Sequence, residues 1–159
     1  MGYFAKILYC DVFVILDDAQ FTKQDYINRV QMTGTGGPWW LTIPVMTSGR
    51  FGQLVSETQI HDKPRWRDKI LKRVRQEYKK APYFMECFQR FEACMRSSSK
   101  SLCEVNINSI RQTLAMLRIS RKIVQSSQLG LKDSGTQRLV DLVGLLKGTA
   151  YLSGTGAVA

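Results

Sequence analysis

A single histidine, His61, and four scattered cysteines, Cys10, Cys87, Cys94 and Cys103, leave this 159-residue chain poor in metal-ligating and disulfide-forming side chains. The cysteines form neither a C-x-x-C pair nor the framework of a small secreted domain, so they are expected as reduced structural thiols with no metal site. His61 has no Ser or Cys nucleophile close in sequence, which excludes a local catalytic dyad and leaves a surface imidazole. No apolar run is longer than residues 12–16, Val-Phe-Val-Ile-Leu, whereas a bilayer crossing takes roughly 18 or more. The first ten residues hold one Lys and no small-residue cleavage site, so no secretory leader is expected and the chain reads as cytoplasmic. Internal repeats and long low-complexity linkers are also missing.

What is present is enough apolar residue for a core, 44% of the chain, which excludes global disorder and at this length fits one domain. Lys and Arg number 23 against 13 Asp and Glu, a formal charge of +10. Residues 61–80 alone carry nine of those cations against three carboxylates. Such a field attracts polyanions: phosphorylated small molecules, nucleotide sugars, RNA or acidic lipid.

The patterning predicts an α/β chain. Tyr3, Phe4, Ile7 and Leu8 fall at helical spacing, and residues 12–16 read as a buried strand closed by Asp17-Asp18. Two extended runs, residues 26–32 and 39–45, flank the glycine turn Gly34-Thr35-Gly36-Gly37 as a hairpin, with Pro44 tolerated at an edge and residues 54–60 as a further short strand. Trp66, Ile70, Val74 and Tyr78 recur every four residues behind the start signals Asp62 and Pro64. Phe84, Phe88, Phe91 and Met95 mark a second helix of this region, and Ser101-x-x-Glu104 is a capping box before Val105, Ile110, Leu114 and Leu117. Residues 122–125 as a strand, 134–146 as a helix opened by Ser134, and 150–152 as a last strand imply a right-handed parallel crossover. The expected sheet is mainly parallel, flanked by helices, with the hairpin inserted. It opens without a first strand, which suggests a chain that starts late. Ligands bind beyond the carboxyl ends of such strands, which points to Asp17-Asp18, Ser126-Ser127 and Ser153-Gly154.

Asp17 and Asp18 point to opposite faces of an extended strand and so cannot pair as acid and base. Asp17 with Lys23, Asn28 and Arg29 supplies a carboxylate, a cation, an amide and a guanidinium near one strand end, able to bind a polyhydroxylated anion or to be an ordinary solvated loop. The basic segment, with Arg65, Arg67, Lys69, Lys72, Arg73, Arg75, Lys79 and Lys80, reads as a solvated face or a diphosphate partner, and less readily as an RNA site because its cations surround the helix. Trp39 and Trp40 alternate, one toward the core and one free to stack on a base or sugar. Gly154-x-Gly156-x-x-Ala159 matches a dinucleotide fingerprint without a following helix, so a glycine turn is the better reading.

Gly2-Tyr3-Phe4-x-Lys6, Asp11-Val12-Phe13, Leu16-Asp17-Asp18, Gln20-Phe21-x-Lys23, Asn28-Arg29, Trp40-Leu41-Thr42-x-Pro44, Trp66, Ala81-Pro82-Tyr83-Phe84, Asn106 and Tyr151-Leu152-Ser153-Gly154, taken in order, resemble the WbqC-like family. That family occurs in bacteria, commonly with genes for surface polysaccharide and O-antigen synthesis. Its members open with a strand ending in His-Gln-Pro and continue beyond the Ser-Gly, and they often carry a His where Ile70 stands here. The resemblance therefore implies a single partial domain, residues 1–159, of impaired or absent activity. At fold level it also suggests a likeness to Rossmann-like nucleotidyl-transferring enzymes.

The resemblance further implies group transfer, acyl or aminoacyl, to an activated or nucleotide-linked sugar. Asp17 would be the catalytic residue, ionised, held by Lys23 and Arg29, and orienting an amine or hydroxyl. Lys23, Arg29 and Lys69 would neutralise phosphate, and Asn28, Ser153 and Gly154 would contact the ligand. The resemblance leaves the cofactor unassigned. The alternatives are a non-catalytic module for an anionic glycan precursor and a basic RNA-binding domain.

Overall fold

The alternation of helical and extended spacing yields, in chain order, α1 (Gly2–Tyr9), β1 (Val12–Ile15), β2 (Arg29–Met32), β3 (Trp39–Thr42), α2 (Trp66–Tyr78), α3 (Phe84–Met95), α4 (Leu102–Met116), β4 (Lys122–Gln125) and α5 (Gly135–Leu145). The structure, a computed structural model, describes residues 2–131 and 135–153. It is a mixed α/β chain that divides into two compact units, Met1–Asp17 with Ile119–Ala159, and Asp18–Arg118.

In the first unit β1 and β4 pair in parallel, Val12 opposite Lys122 and Ile15 opposite Gln125. Parallel neighbours need a long crossover, and here the chain between them builds the whole second unit. The ring of Tyr3 on α1 meets Phe13 edge-on, centroids 5.2 Å apart. An apolar run such as β1 is expected to be buried on both faces, yet all four positions are half-buried, because a two-stranded ladder shields a strand along one edge only. The expected strand at residues 150–152 does not form. Three residues fall short of the usual five or so, and with Tyr151 and Leu152 in solvent little apolar surface would be gained by pairing them. The expected helix start at Ser134 lies outside the described residues.

In the second unit β2 and β3 form the antiparallel hairpin, Arg29 opposite Thr42 and Met32 opposite Trp39. It is shorter than predicted at its open end, matches at the turn, and forms its own two-stranded sheet rather than joining β1 and β4. Residues 54–60 are not a strand but three isolated bridges, Leu54 with Gln20, Gln59 with Ser101 and Ile60 with Val45, around a turn. Thr58 causes this: its N–H bonds the Val55 carbonyl and its hydroxyl the Leu54 carbonyl, which folds the segment back on itself.

Trp39, Leu41 and Ile43 project inward at every second position and meet Trp66, Leu71 and Val74 of α2, Phe88 and Met95 of α3, and Leu102 and Val105 of α4 in one core cluster. Ile70 and Tyr78 of the predicted stripe are only half-buried. Each four-residue step overshoots a helical turn by about 40°, so a strict every-fourth stripe winds off the buried face and Leu71 takes the deeper position. The helix does not start at Asp62 or Pro64 either; its N-cap position is Arg65, in left-handed backbone.

Candidate functional site

Because β1 and β4 run in parallel and in register, residues 17 and 125–127 meet at their common carboxyl end. Asp17 is 1% exposed there. Its Oδ2 accepts from Gln125 Nε2 at 2.8 Å and Ser127 Oγ at 2.7 Å, and its Oδ1 from the Ser127 backbone N–H at 2.9 Å and Ser126 Oγ at 3.3 Å. Two donors on each oxygen fill the roughly four lone-pair sites of a carboxylate. Burial pushes the Asp17 acid up, but the Ser127 and Gln125 hydrogen bonds outweigh it and hold the carboxyl below its ordinary value. The carboxylate is thus ionised and held by neutral hydroxyl, amide and N–H donors, where sequence reasoning assigned that task to Lys23 and Arg29. Ser126 is fully buried while Ser127 is exposed. With its proton on Asp17, the Ser127 hydroxyl turns lone pairs toward solvent, so this end of the sheet offers a fixed acceptor.

The remaining candidates belong to the Asp18–Arg118 unit or to the chain end. Lys23 and Lys69 are exposed. Asn28 braces the hairpin: its Nδ2 donates to the Ile43 carbonyl at 2.9 Å and its backbone carbonyl accepts from the Ile43 N–H at 2.8 Å. The Arg29 guanidinium lies 4.1 Å from the Trp40 ring centroid and donates to the Gln24 carbonyl. Trp39 is buried and Trp40 is 41% exposed, as their alternation predicts. Several cations of the basic helix cover aromatic rings: Arg67 on Trp66, Arg73 on Trp39 and Arg75 on Phe88. Gly34-x-Gly36-Gly37 is the hairpin turn, with Gly37 at φ 103°, and the Thr35 N–H and hydroxyl donate to Glu77 rather than facing a phosphate. Ser153 is exposed, and Gly154 and the Gly154–Gly156–Ala159 pattern lie outside the described residues.

Sequence reasoning named Ser126-Ser127 as a strand end but missed Gln125 and the bonds to Asp17. The strand pairing that creates them spans more than a hundred residues, so no local pattern signals it. None of the four cysteines forms a disulfide; Cys94 and Cys103 are buried and Cys87 is exposed. Among the described residues no cluster of His, Cys, Asp or Glu could hold a metal ion, and no helix is long and apolar enough to cross a membrane.

Parallel strands ending in a carboxylate–hydroxyl cluster in one unit, and helices with an antiparallel hairpin in the other, define the class as a mixed α/β protein with a polar strand-end site. The chain belongs to the WbqC-like protein family, whose model matches residues 1–159. It is 32% identical over 157 residues to Uncharacterized protein Rv1507c of Mycobacterium tuberculosis, covering 98% of this chain and 68% of that protein. No solved structure matches.

Proposed function

We propose that this protein takes part in group transfer in bacterial surface-polysaccharide and O-antigen synthesis, in the cytoplasm. The reaction is acyl or aminoacyl transfer to an amino sugar carried on a nucleotide. The observation that carries the reading is the Asp17–Ser127 pair at the carboxyl end of a parallel strand pair, the position where open, Rossmann-like α/β sheets take ligands. Membership of the WbqC-like family supports it.

The sugar amine attacks the carbonyl of an activated ester, an amide C–N bond forms, the ester bond breaks, and the amine proton leaves with the alcohol. An ionised carboxylate with both oxygens occupied is a poor base. Asp17 therefore fixes Ser127, whose hydroxyl accepts from the incoming amine and holds it toward the carbonyl. Within the unit that carries Asp17 and Ser127, Ser153 and Gly154 are the candidates for ligand contact.

The test is mass spectrometry of a nucleotide-linked amino sugar incubated with an activated acyl or aminoacyl ester and the protein. The expected result is a product heavier by the acyl group, reduced at least about tenfold in Ser127→Ala, the equivalent of one lost hydrogen bond. A wild-type rate retained by Ser127→Ala would remove this site from the chemistry. A second reading, a non-catalytic module for an anionic glycan precursor, is favoured by the saturation of Asp17. It predicts that the nucleotide sugar raises the melting temperature and no product forms.

A further inference from the structure

A cleft of the Asp18–Arg118 unit, about 410 Å³, is lined by Ile60, Asp62, Arg67, Arg96, Ser97, Ser98 and Lys100. Apart from Asp62, its charged side chains are cationic. We propose that this cleft binds a diphosphate group. The inference does not rest on the transfer reading, since binding here needs no turnover.

The two guanidinium groups are held before any ligand arrives. Arg67 spends its Nε on the Met95 carbonyl at 3.0 Å and Nη1 on Asp62 at 2.6 Å. Arg96 spends its Nε on Glu92 at 3.0 Å and Nη1 on Asp68 at 3.4 Å. Each guanidinium keeps a further nitrogen, Nη2, in a held plane, and a fork of this kind matches the oxygens of a phosphate. Lys100 has no side-chain partner among the described residues. The Ser97 hydroxyl accepts from the Ser99 N–H at 3.2 Å, which leaves its own proton to donate.

The loop carrying these groups is pinned on both sides. The Ile60 N–H bonds the Lys100 carbonyl at 2.8 Å, the Leu102 N–H bonds the Thr58 carbonyl at 3.0 Å, and Ser99 Oγ accepts from the Ser101 N–H at 3.0 Å. Little ordering remains to be done on binding. With Arg67 held by Asp62, and Arg96 by Glu92 and Asp68, the two Nη2 edges, the Lys100 ammonium and the serine hydroxyls that remain still exceed what a single carboxylate ligand would use. The cleft's size falls in the range of small-ligand sites.

The experiment is calorimetric titration of the full chain with inorganic pyrophosphate and, separately, with UDP, at about 0.15 M salt to screen the general field. Saturable one-site binding is expected. Lys100→Gln and Arg96→Lys should each raise Kd at least about fivefold, while Arg111→Gln, an exposed cation elsewhere in the unit, should stay within about twofold. Lys100 holds no partner, so its variant should melt with the wild type and report binding alone. UDP binding more tightly than pyrophosphate assigns the cleft to a nucleotide, and equal affinity assigns it to a free diphosphate. Equal weakening by Lys100→Gln and Arg111→Gln, or titration without saturation, means an adventitious ion only and overturns the proposal.

Discussion

Asp17 shows how a buried carboxylate becomes a hub for the residues around it. Asp17→Asn would replace one acceptor oxygen by a donor facing the Ser127 or Gln125 donors, a buried mismatch costing about 1–3 kcal/mol. Urea unfolding at pH 7 should show that loss. Because the Asp17 acid lies below its ordinary value when folded, its stabilising contribution is present above the unfolded-state value of about 3.9 and is lost as pH falls through the folded one. The gap between wild type and Asp17→Asn should therefore narrow as pH is lowered below about 4; a gap that widened would contradict the assignment. The sequence did announce the strand end, through an apolar run stopping at Asp17 and a pair of serines after the second strand. It could not announce their meeting, because hydrogen bonds between residues 17 and 127 depend on which strands pair. The same holds for the Arg residues of the basic helix: spacing revealed their density, and only packing revealed which of them lie on rings.

The α2 and α3 helices begin alike. Pro64-Arg65 precedes Trp66 and Pro82-Tyr83 precedes Phe84, with Arg65 at φ 58° and Tyr83 at φ 59°. Proline followed by positive φ is the mark of a type II turn, and the Phe84 N–H closes the second one onto the Ala81 carbonyl at 3.2 Å. In each case the turn delivers an aromatic first helical residue toward the core. Left-handed backbone costs a side-chain-bearing residue about 1–2 kcal/mol, and Tyr83 is 81% exposed, so it recovers little by packing. Tyr83→Gly should raise stability by about 0.5–1 kcal/mol in chemical unfolding. Ser101 presents the opposite case, a cap legible in the sequence: its Oγ accepts from the Glu104 N–H at 3.3 Å. Ser101→Ala should cost about 1 kcal/mol in the same assay. The reciprocal half of the box is taken over by Ser99, whose hydroxyl bonds Glu104 and whose oxygen holds the Ser101 N–H. Helices are more legible than strands because their periodicity is local, whereas residues 54–60 have strand composition but make only isolated bridges around a turn, and residues 150–152 form no strand.

Across the whole molecule, burial is unequal. The Asp18–Arg118 unit holds the continuous core, while Ile7 and Leu142 are the buried hydrophobic side chains of the other unit among the described residues. Apolar burial is the main favourable term in folding, so the unit built on β1 and β4 should open at lower denaturant than its neighbour in sequence. All three tryptophans, Trp39, Trp40 and Trp66, lie in the unit with the larger core. Indole emission therefore watches one unit alone, whereas far-UV ellipticity also counts α1 and α5. On a urea ramp, ellipticity should begin to fall while the emission maximum stays in place, and coincident curves would show the two units unfolding as one. The placement of the tryptophans thus provides an optical label for one unit without chemical modification, and a titration that shifts the emission maximum would locate its ligand's effect on the side of the chain that carries the indoles.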